Sequence, residues 1–516
     1  MKMKTIALLI AGTLAANAFA APIPKVKYAD EINDGRPAVR WRGFNLLEMF
    51  YRHGPDSKPA EFDEDFQLIH EFGFNFVRLP MDYRFWIKDG KRENWTEFDE
   101  ENLKCIDHAI ELGEKYDIHV NLNMHRCPGW TVARPFEPTS LFTDPETLRV
   151  CALHWAMFAK RYRGVSNERL SFNLFNEPPH EPTISAEQFA KVVKALVDAI
   201  HREDPKRFVI TDGLATATEP VPALYSVQNL GQSVHCYKPH GVSHYLATWA
   251  GNPSLRPFWP YSPDMPDGVI GNAINPDPLV IEDLPACDLD MAFDEVSHFV
   301  VLRFTADGEV LRESRIAVDP SGKNPLWPNP KYMEMWKVYQ GRYLGHEKLT
   351  LKRPVKRLVI ERVDGDWIRP AFIEFTDGKN RCELNFNFGF RQKSFNQRFL
   401  DWQHGFARSN RTAPRYQEPG LEYLYRAIFE HWDRAIESGV FCHVGETGVW
   451  NKTPHAVTLA LMEDYLKLWK ERNIGWALWQ FRGGFGILDT EREGVDFEDY
   501  KGHKLDRKLL ELLQKY

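Results

Sequence analysis

Between residues 40 and 235, short apolar runs alternate with stretches whose apolar positions recur at helical spacing. The runs are "RWRGFNLLEMF", "FNFVRLP", "IHVNLNMH", "LSFNLFNE", "RFVITDG" and "SVHCY". Their length and composition predict six strands. The stretches between them include "FDEDFQLIHEFG", "DEENLKCIDHAIELGEKYD", "DPETLRVCALHWAMFAKRYRG" and "ISAEQFAKVVKALVDAIHREDP". Acidic residues sit near their starts, which suits a helix N-terminus. Strand alternating with helix implies βαβ units and a parallel sheet. The pattern resumes late, with helix "LEYLYRAIFEHWDRAIESG", strand "VFCHVGE", helix "HAVTLALMEDYLKLWKERN", strand "GWALWQF" and helix "KLDRKLLELLQKY". Six strands plus two make eight, the number that closes a (β/α)8 TIM barrel.

Between these halves the texture changes. "GNPSLRPFWPYSPDMPDG" is Pro/Gly-rich loop, and "SHFVVLRFTADGEVLRESRIAV" reads as strand, Asp-Gly turn, strand. Further strands follow, punctuated by more Asp-Gly pairs. The α/β barrel is therefore expected in two parts, 21–250 and 416–516, with an antiparallel β domain at 251–415 inserted between strands six and seven.

Composition adds bounds. The chain has 516 residues, 43% hydrophobic and 27% charged, with a net charge of −7 and no long run of like charge. Nothing there favours nucleic acid or an anionic membrane. "MKMKTIALLIAGTLAANAFA" has a basic start, an apolar stretch and Ala18-Phe19-Ala20 as a small-x-small site. It reads as a secretory signal peptide over residues 1–20, so a secreted or periplasmic protein is expected, without a membrane span. The seven cysteines show no CxxC pairing, and several lie in strand-like runs, which suggests buried thiols. No zinc-type spacing occurs, so no metal and no cofactor is expected. Nothing in the sequence sets an oligomeric state.

Catalytic side chains of a barrel come from the C-terminal ends of its strands. Strand two ends near Arg78, strand three at His125, and strand four at Asn176-Glu177. Strand six carries His235 and Tyr237, strand seven ends at Glu446, and strand eight carries Trp479. Taken singly, each has an ordinary explanation. A strand-end glutamate is commonly a cap, a buried histidine a structural one, Arg78 a partner for Asp82, and Trp479 core. Together they place two carboxylates and several costly polar groups at one barrel mouth. Two such carboxylates suit glycoside hydrolysis, one as acid on the leaving oxygen and one attacking the anomeric carbon. Asn176 beside Glu177 suits a carboxyl that keeps its proton, while Arg78 and Tyr237, if they reach Glu446, would hold it ionised.

"FNEPPH" and "HVGETG", with "RGFNL", "GFNFVRLP", "NLNMHRCPG", "HCYKPH" and "GWALWQF", resemble glycoside hydrolase family 5, the cellulase-type retaining enzymes. The resemblance covers roughly Trp41 to Ala250 and Gln417 to the end. It implies Glu177 as acid/base and Glu446 as nucleophile. It further implies Asn176 on the sugar 2-hydroxyl, Arg78 and Tyr237 orienting the nucleophile, His125 and His235 lining the reactive subsite, and Trp479 as its stacking floor. The implied substrate is a β-linked glycan, foremost a β-glucan. A β-mannan-degrading or exo-acting enzyme of the same family is the alternative. A non-catalytic glycan-binding protein would have lost a carboxylate, and both are present. The insert departs from the family pattern. It could roof the cleft, carry a glycan surface on Phe258, Trp259, Tyr261 and Trp367, or simply brace the barrel.

Overall fold

Six short strands lead the chain: β1 (Arg42–Asn45), β2 (Phe76–Asp82), β3 (His119–Arg126), β4 (Leu170–Asn173), β5 (Val209–Asp212) and β6 (Leu230–Cys236). Ten more follow: β7 (Leu279–Leu284), β8 (Cys287–Ser297), β9 (Phe299–Ala306), β10 (Glu309–Ala317), β11 (Lys331–Met333), β12 (Val338–Arg342), β13 (His346–Leu351), β14 (Val355–Gly365), β15 (Ile368–Thr376) and β16 (Arg381–Asn385). Then come β17 (Cys442–Thr447) and β18 (Gly475–Leu478). The computed structural model describes residues 40–51, 62–179, 183–250, 257–261, 269–271, 278–386 and 415–516. The stretch read as a signal peptide lies outside the described residues.

Strands β1 to β6 with β17 and β18 pair in parallel and close in the order β1-β18-β17-β6-β5-β4-β3-β2, the expected TIM barrel. Their burial explains why they read as continuous apolar runs: β2 and β3 are buried at every position. The first predicted run was too long. It stops at Asn45 and turns into a short helix, Glu48–Tyr51.

The helices begin where local chemistry supplies caps. Asp99 accepts from Glu101 and Asn102 N–H, and Asp144 from Glu146 and Thr147 N–H with Pro145 at the first helical position. Ser185 and Gln188 make a reciprocal capping box at the start of Ala186–Glu203. That helix buries Phe189, Val193, Leu196 and Ile200 against the barrel wall, each worth about 1.5–3 kcal/mol.

The barrel's N-terminal end is dry. Trp41, Phe76, Phe208 and Phe441 pack together there, with the His119 ring stacked on Trp41 at 3.7 Å. Polar groups therefore collect at the opposite end, where the strands finish.

The segment between β6 and β17 builds two antiparallel sheets, β10-β9-β14-β7 and β11-β12-β8-β15-β16 with β13 on β8. Their inner faces share one core, including Ile281, Met291, Phe304, Ile360 and Phe375. The predicted Asp-Gly hairpin joins β9 to β10, with Asp307 at φ 49° and Gly308 at φ 88°, the left-handed pair such a turn needs.

Of the aromatics proposed for a glycan surface, Phe258, Trp259 and Trp367 are part-exposed, and the expectation for Tyr261 is corrected. Tyr261 is buried, and Trp259 donates its indole N–H to Asp464 on the helix His455–Glu471 at 2.9 Å. Residues 257–261 thus form a strap packed on the barrel core. Among the described residues of the insert, Tyr332, Trp336 and Tyr339 are the aromatics that stand most exposed. All seven cysteines are buried. Among the described residues no helix is long and apolar enough to cross a membrane.

Candidate active site

The centre of the polar barrel end is Arg78, a fully buried guanidinium that emerges from β2. Its Nη1 donates to Glu446 Oε1 at 2.7 Å and to Asn45 Oδ1 at 2.9 Å. Its Nε donates to Asn173 Oδ1 at 3.0 Å and its Nη2 to Asn176 Oδ1 at 2.8 Å. A planar fork with a fixed positive charge is the group that can bind four acceptors at once. The ordinary alternative, pairing with Asp82, does not occur; Asp82 is taken by Arg84 and Arg126.

Glu446 is aimed inward by a bulge. The register of β17 shifts at Gly445 against both β6 and β18, which sets Glu446 opposite His235. A Cβ at Gly445 would lie 2.4 Å from Ser233 Oγ and 3.2 Å from His235 Nε2, so only glycine lets β17 come this close. Tyr237 donates its hydroxyl to Glu446 Oε2 at 3.3 Å.

Glu177 is held in the left-handed region at φ 46°, a conformation costing about 1–3 kcal/mol for a non-glycine residue. Its backbone N–H donates to Asp212 Oδ2 at 2.9 Å, which fixes that turn. Pro178 and Pro179 follow, and the Pro178 carbonyl accepts from Thr216 N–H. The strand that carries Glu177 therefore ends in a rigid corner.

His235 stands between the two glutamates. Its Nδ1 is 2.8 Å from Glu177 Oε1 and 3.6 Å from Glu446 Oε2. Its Nε2 is 3.3 Å from Asp212 Oδ2, an ion-pair approach rather than an aligned hydrogen bond. One ligating atom from each of Glu177, His235 and Glu446 lies within 4.8 Å of the others. Such a trio also has the spacing of metal ligands. The Arg78 cation on Glu446 makes the pocket a poor host for a second positive charge.

His125 lies across the site, its Nδ1 3.0 Å from Asn123 Oδ1 and 3.9 Å from Glu446 Oε1. Burial, with Arg78, His235 and Arg126 nearby, pushes it well below the ordinary histidine range, so it stays neutral. Trp479 is half-buried just past β18, its ring 5.4 Å from that of His125. All eight residues singled out from the sequence thus meet at one end of the barrel.

Electrostatics differ from the sequence expectation at Glu446. Arg78 and Tyr237 do reach it, yet burial lifts its carboxyl to about 7. His235 and Arg78 oppose that lift, while Glu177 and Asp212 add to it. His235 is raised as well: burial disfavours its charge, but Glu446, Asp212 and Glu177 outweigh burial. Burial likewise drives the Tyr237 phenol well above its ordinary value, so it remains a donor.

A stability consequence follows. Below about 4.5 the Glu446 carboxyl is protonated in native and unfolded chains alike; rising through about 7, the native state must carry a buried anion and loses stability. Glu446→Gln keeps an acceptor for Arg78 without that charge. Its melting temperature should exceed the parent's at pH 8 and match it near pH 4. An equal difference at both pH values would contradict this account.

Several site residues escaped the sequence reading. Asp212, at the end of β5, is fully buried beside Glu177, and Asn45, Asn123 and Asn173 complete the hydrogen-bond lattice. Among the described residues the Asn176 Nδ2 donor has no hydrogen-bond partner. A row of rings also runs outward from Tyr237: Phe485 at 6.2 Å, then Trp450 at 5.3 Å from it, then Trp249 at 4.5 Å, which is 62% exposed.

Comparison with known proteins agrees with this geometry. A family model, Cellulase (glycosyl hydrolase family 5), matches residues 32–262. Endoglucanase C of Acetivibrio thermocellus is 30% identical over 191 residues, 36% of this chain and 53% of that protein. Cellodextrinase A of Ruminococcus flavefaciens is 24% identical over 190 residues, 36% of this chain and 54% of that protein. The chain spans about half the length of the curated relatives it matches. A solved glycoside hydrolase shares the fold with a TM-score of 0.58 at 24% identity, over 92% of this chain and 99% of the other. The motif set, the family match and the closed barrel agree: residues 32–262 are similar to the cellulase family, glycosyl hydrolase family 5, and the chain has a TIM barrel.

Proposed function

We propose that the protein is a secreted or periplasmic retaining β-glycoside hydrolase acting on β-glucans with 1,4 or mixed linkages. The observation that carries this reading is the approach of Glu177 and Glu446, with one ligating atom of each within 4.8 Å of the other. Retaining enzymes hold their carboxyl groups about 5–5.5 Å apart, whereas inverting enzymes leave room for a water at about 6.5–9.5 Å.

In the first step Glu446 attacks the anomeric carbon while Glu177 gives its proton to the departing glycosidic oxygen. The C–O bond breaks and a glycosyl ester forms on Glu446. In the second step a water gives its proton to Glu177 and its oxygen to the anomeric carbon, releasing Glu446. Arg78 and Tyr237 orient the nucleophile, and Asn176 Nδ2 serves a sugar hydroxyl. Trp479 and His125 floor the reactive subsite, and the rings out to Trp249 offer further stacking faces.

The glucan preference is supported by the endoglucanase and cellodextrinase relatives. Export is supported by the residues 1–20 pattern. The test is a panel of carboxymethyl-cellulose, mixed-linkage glucan, xyloglucan and β-mannan, with reducing ends counted and products sized. The expected result is release of oligosaccharides from the two simple glucans, faster than from mannan. Hydrolysis of mannan alone would overturn the substrate class.

A further inference from the structure

Strand β5 ends on Asp212, a carboxylate with no solvent exposure that the two-step scheme does not use. Leaving such a charge uncompensated in the interior is strongly destabilising. Here the partners are Glu177 itself, His235 and Arg78, which also touch the glutamate pair, and Asn173. Oδ2 accepts from the Glu177 N–H at 2.9 Å, and Oδ1 accepts from Asn173 Nδ2 at 3.1 Å. Oδ2 lies 3.3 Å from His235 Nε2 and 3.9 Å from Arg78 Nη2. Across the same imidazole, Nδ1 is 2.8 Å from Glu177 Oε1. The ring therefore bridges the side chains of Asp212 and Glu177, while Asp212 also grips the Glu177 backbone.

We propose that Asp212 is a positioning residue for the acid/base Glu177, acting through the Glu177 backbone N–H and through the ring of His235. This rests on the reading of Glu177 as acid/base. A negative oxygen facing Nε2 favours the tautomer that carries its proton there, so the atom presented to Glu177 is Nδ1. One further proton then resides in the Nδ1–Oε1 hydrogen bond, either as a Glu177 O–H donating to nitrogen or as an imidazolium N–H donating to carboxylate. In the first step that proton leaves with the glycosidic oxygen as the Glu446 ester bond forms. In the second, a water proton returns to the same place while the ester bond breaks. The Nε2 proton never moves.

The groups facing His235 come from every side. Arg78 on β2 disfavours its charge, while His125 on β3 and His443 on β17 are held neutral by burial; Glu177 after β4, Asp212 on β5 and Glu446 on β17 favour it. The balance raises His235 against the opposition of burial. Removing the Asp212 charge takes away one of three favourable carboxylates and leaves every unfavourable group.

Asp212→Asn tests this, because it keeps the shape and an acceptor for the Glu177 N–H. The alkaline limb of kcat/KM should move to lower pH by about one unit. On a natural glucan kcat/KM should fall about 100-fold, while on a dinitrophenyl glycoside, whose leaving group needs no proton, it should fall by less than about threefold. An unmoved limb, or equal losses on both substrates, would assign Asp212 a merely structural role and overturn the proposal. Ring 15N NMR of the parent protein gives a second measurement that does not depend on the variant folding. His235, assigned by loss of its signals in His235→Asn, should carry a proton on Nε2 throughout the active pH range; a bare Nε2 overturns the proposal. A parent that hydrolyses no glucan, or a Glu177→Gln variant as active as the parent, would instead sink the reading of Glu177.

Discussion

Glu446→Ala should abolish hydrolysis, lowering kcat by about five orders of magnitude or more, as loss of a covalent nucleophile generally does. Circular dichroism of the variant should show a native fold, because Arg78 keeps Asn45, Asn173 and Asn176 as acceptors. Glu446→Gly sharpens the result. It leaves a space bounded by Arg78 and Tyr237 into which azide fits. Supplied with an activated β-glycoside, that variant should yield a glycosyl azide of inverted configuration, since azide then attacks from the nucleophile's side and no second displacement follows. Hydrolysis at the parent rate, or an azide product of retained configuration, would mean that another group attacks the anomeric carbon.

Glu177→Gln should act differently. Its amide still meets His235 but has no proton to give. On natural glucans kcat/KM should fall by about 10²–10⁴-fold, the span typical of general acid–base catalysis. On a dinitrophenyl glycoside the first step should survive, so a burst of phenol should precede slow turnover. Added azide should speed that slow phase and give a product of retained configuration, because it needs no base. Equal losses on both substrates would remove Glu177 from the proton-transfer role. The contrast between the two glutamates is what their surroundings predict. Glu446 sits buried against Arg78, whereas Glu177 is part-exposed at the rim and touches the ring of His235.

How much of this was visible in the chain follows from where the forces act. The barrel strands were legible because each is covered on both faces and reads as an apolar run. The candidate site was legible because catalytic side chains of a barrel come from the C-terminal ends of its strands. Asp212 escaped because "ITDG" also spells an ordinary turn, and nothing local shows that its side chain points at Glu177. Asn45 and Asn173 escaped because amides inside strands declare no partner; they are read only once Arg78 is seen to reach them. The ionisation of Glu446 was misjudged for a related reason. The cations that stabilise it could be anticipated, but burial and two further carboxylates act through space across four strands. "RPFWPY" misled because exposed platforms and buried straps use the same residues, and only the Trp259–Asp464 hydrogen bond tells them apart.

The central claim is that two glutamates, with one carboxylate oxygen of each within 4.8 Å of the other, cleave a β-glycoside by double displacement. Proton NMR of the first product, recorded before mutarotation, tests it most directly. The account predicts the β-anomer at early times, relaxing later to the equilibrium mixture. An initial α-anomer would show a single displacement by water and would contradict the assignment of Glu446 as nucleophile.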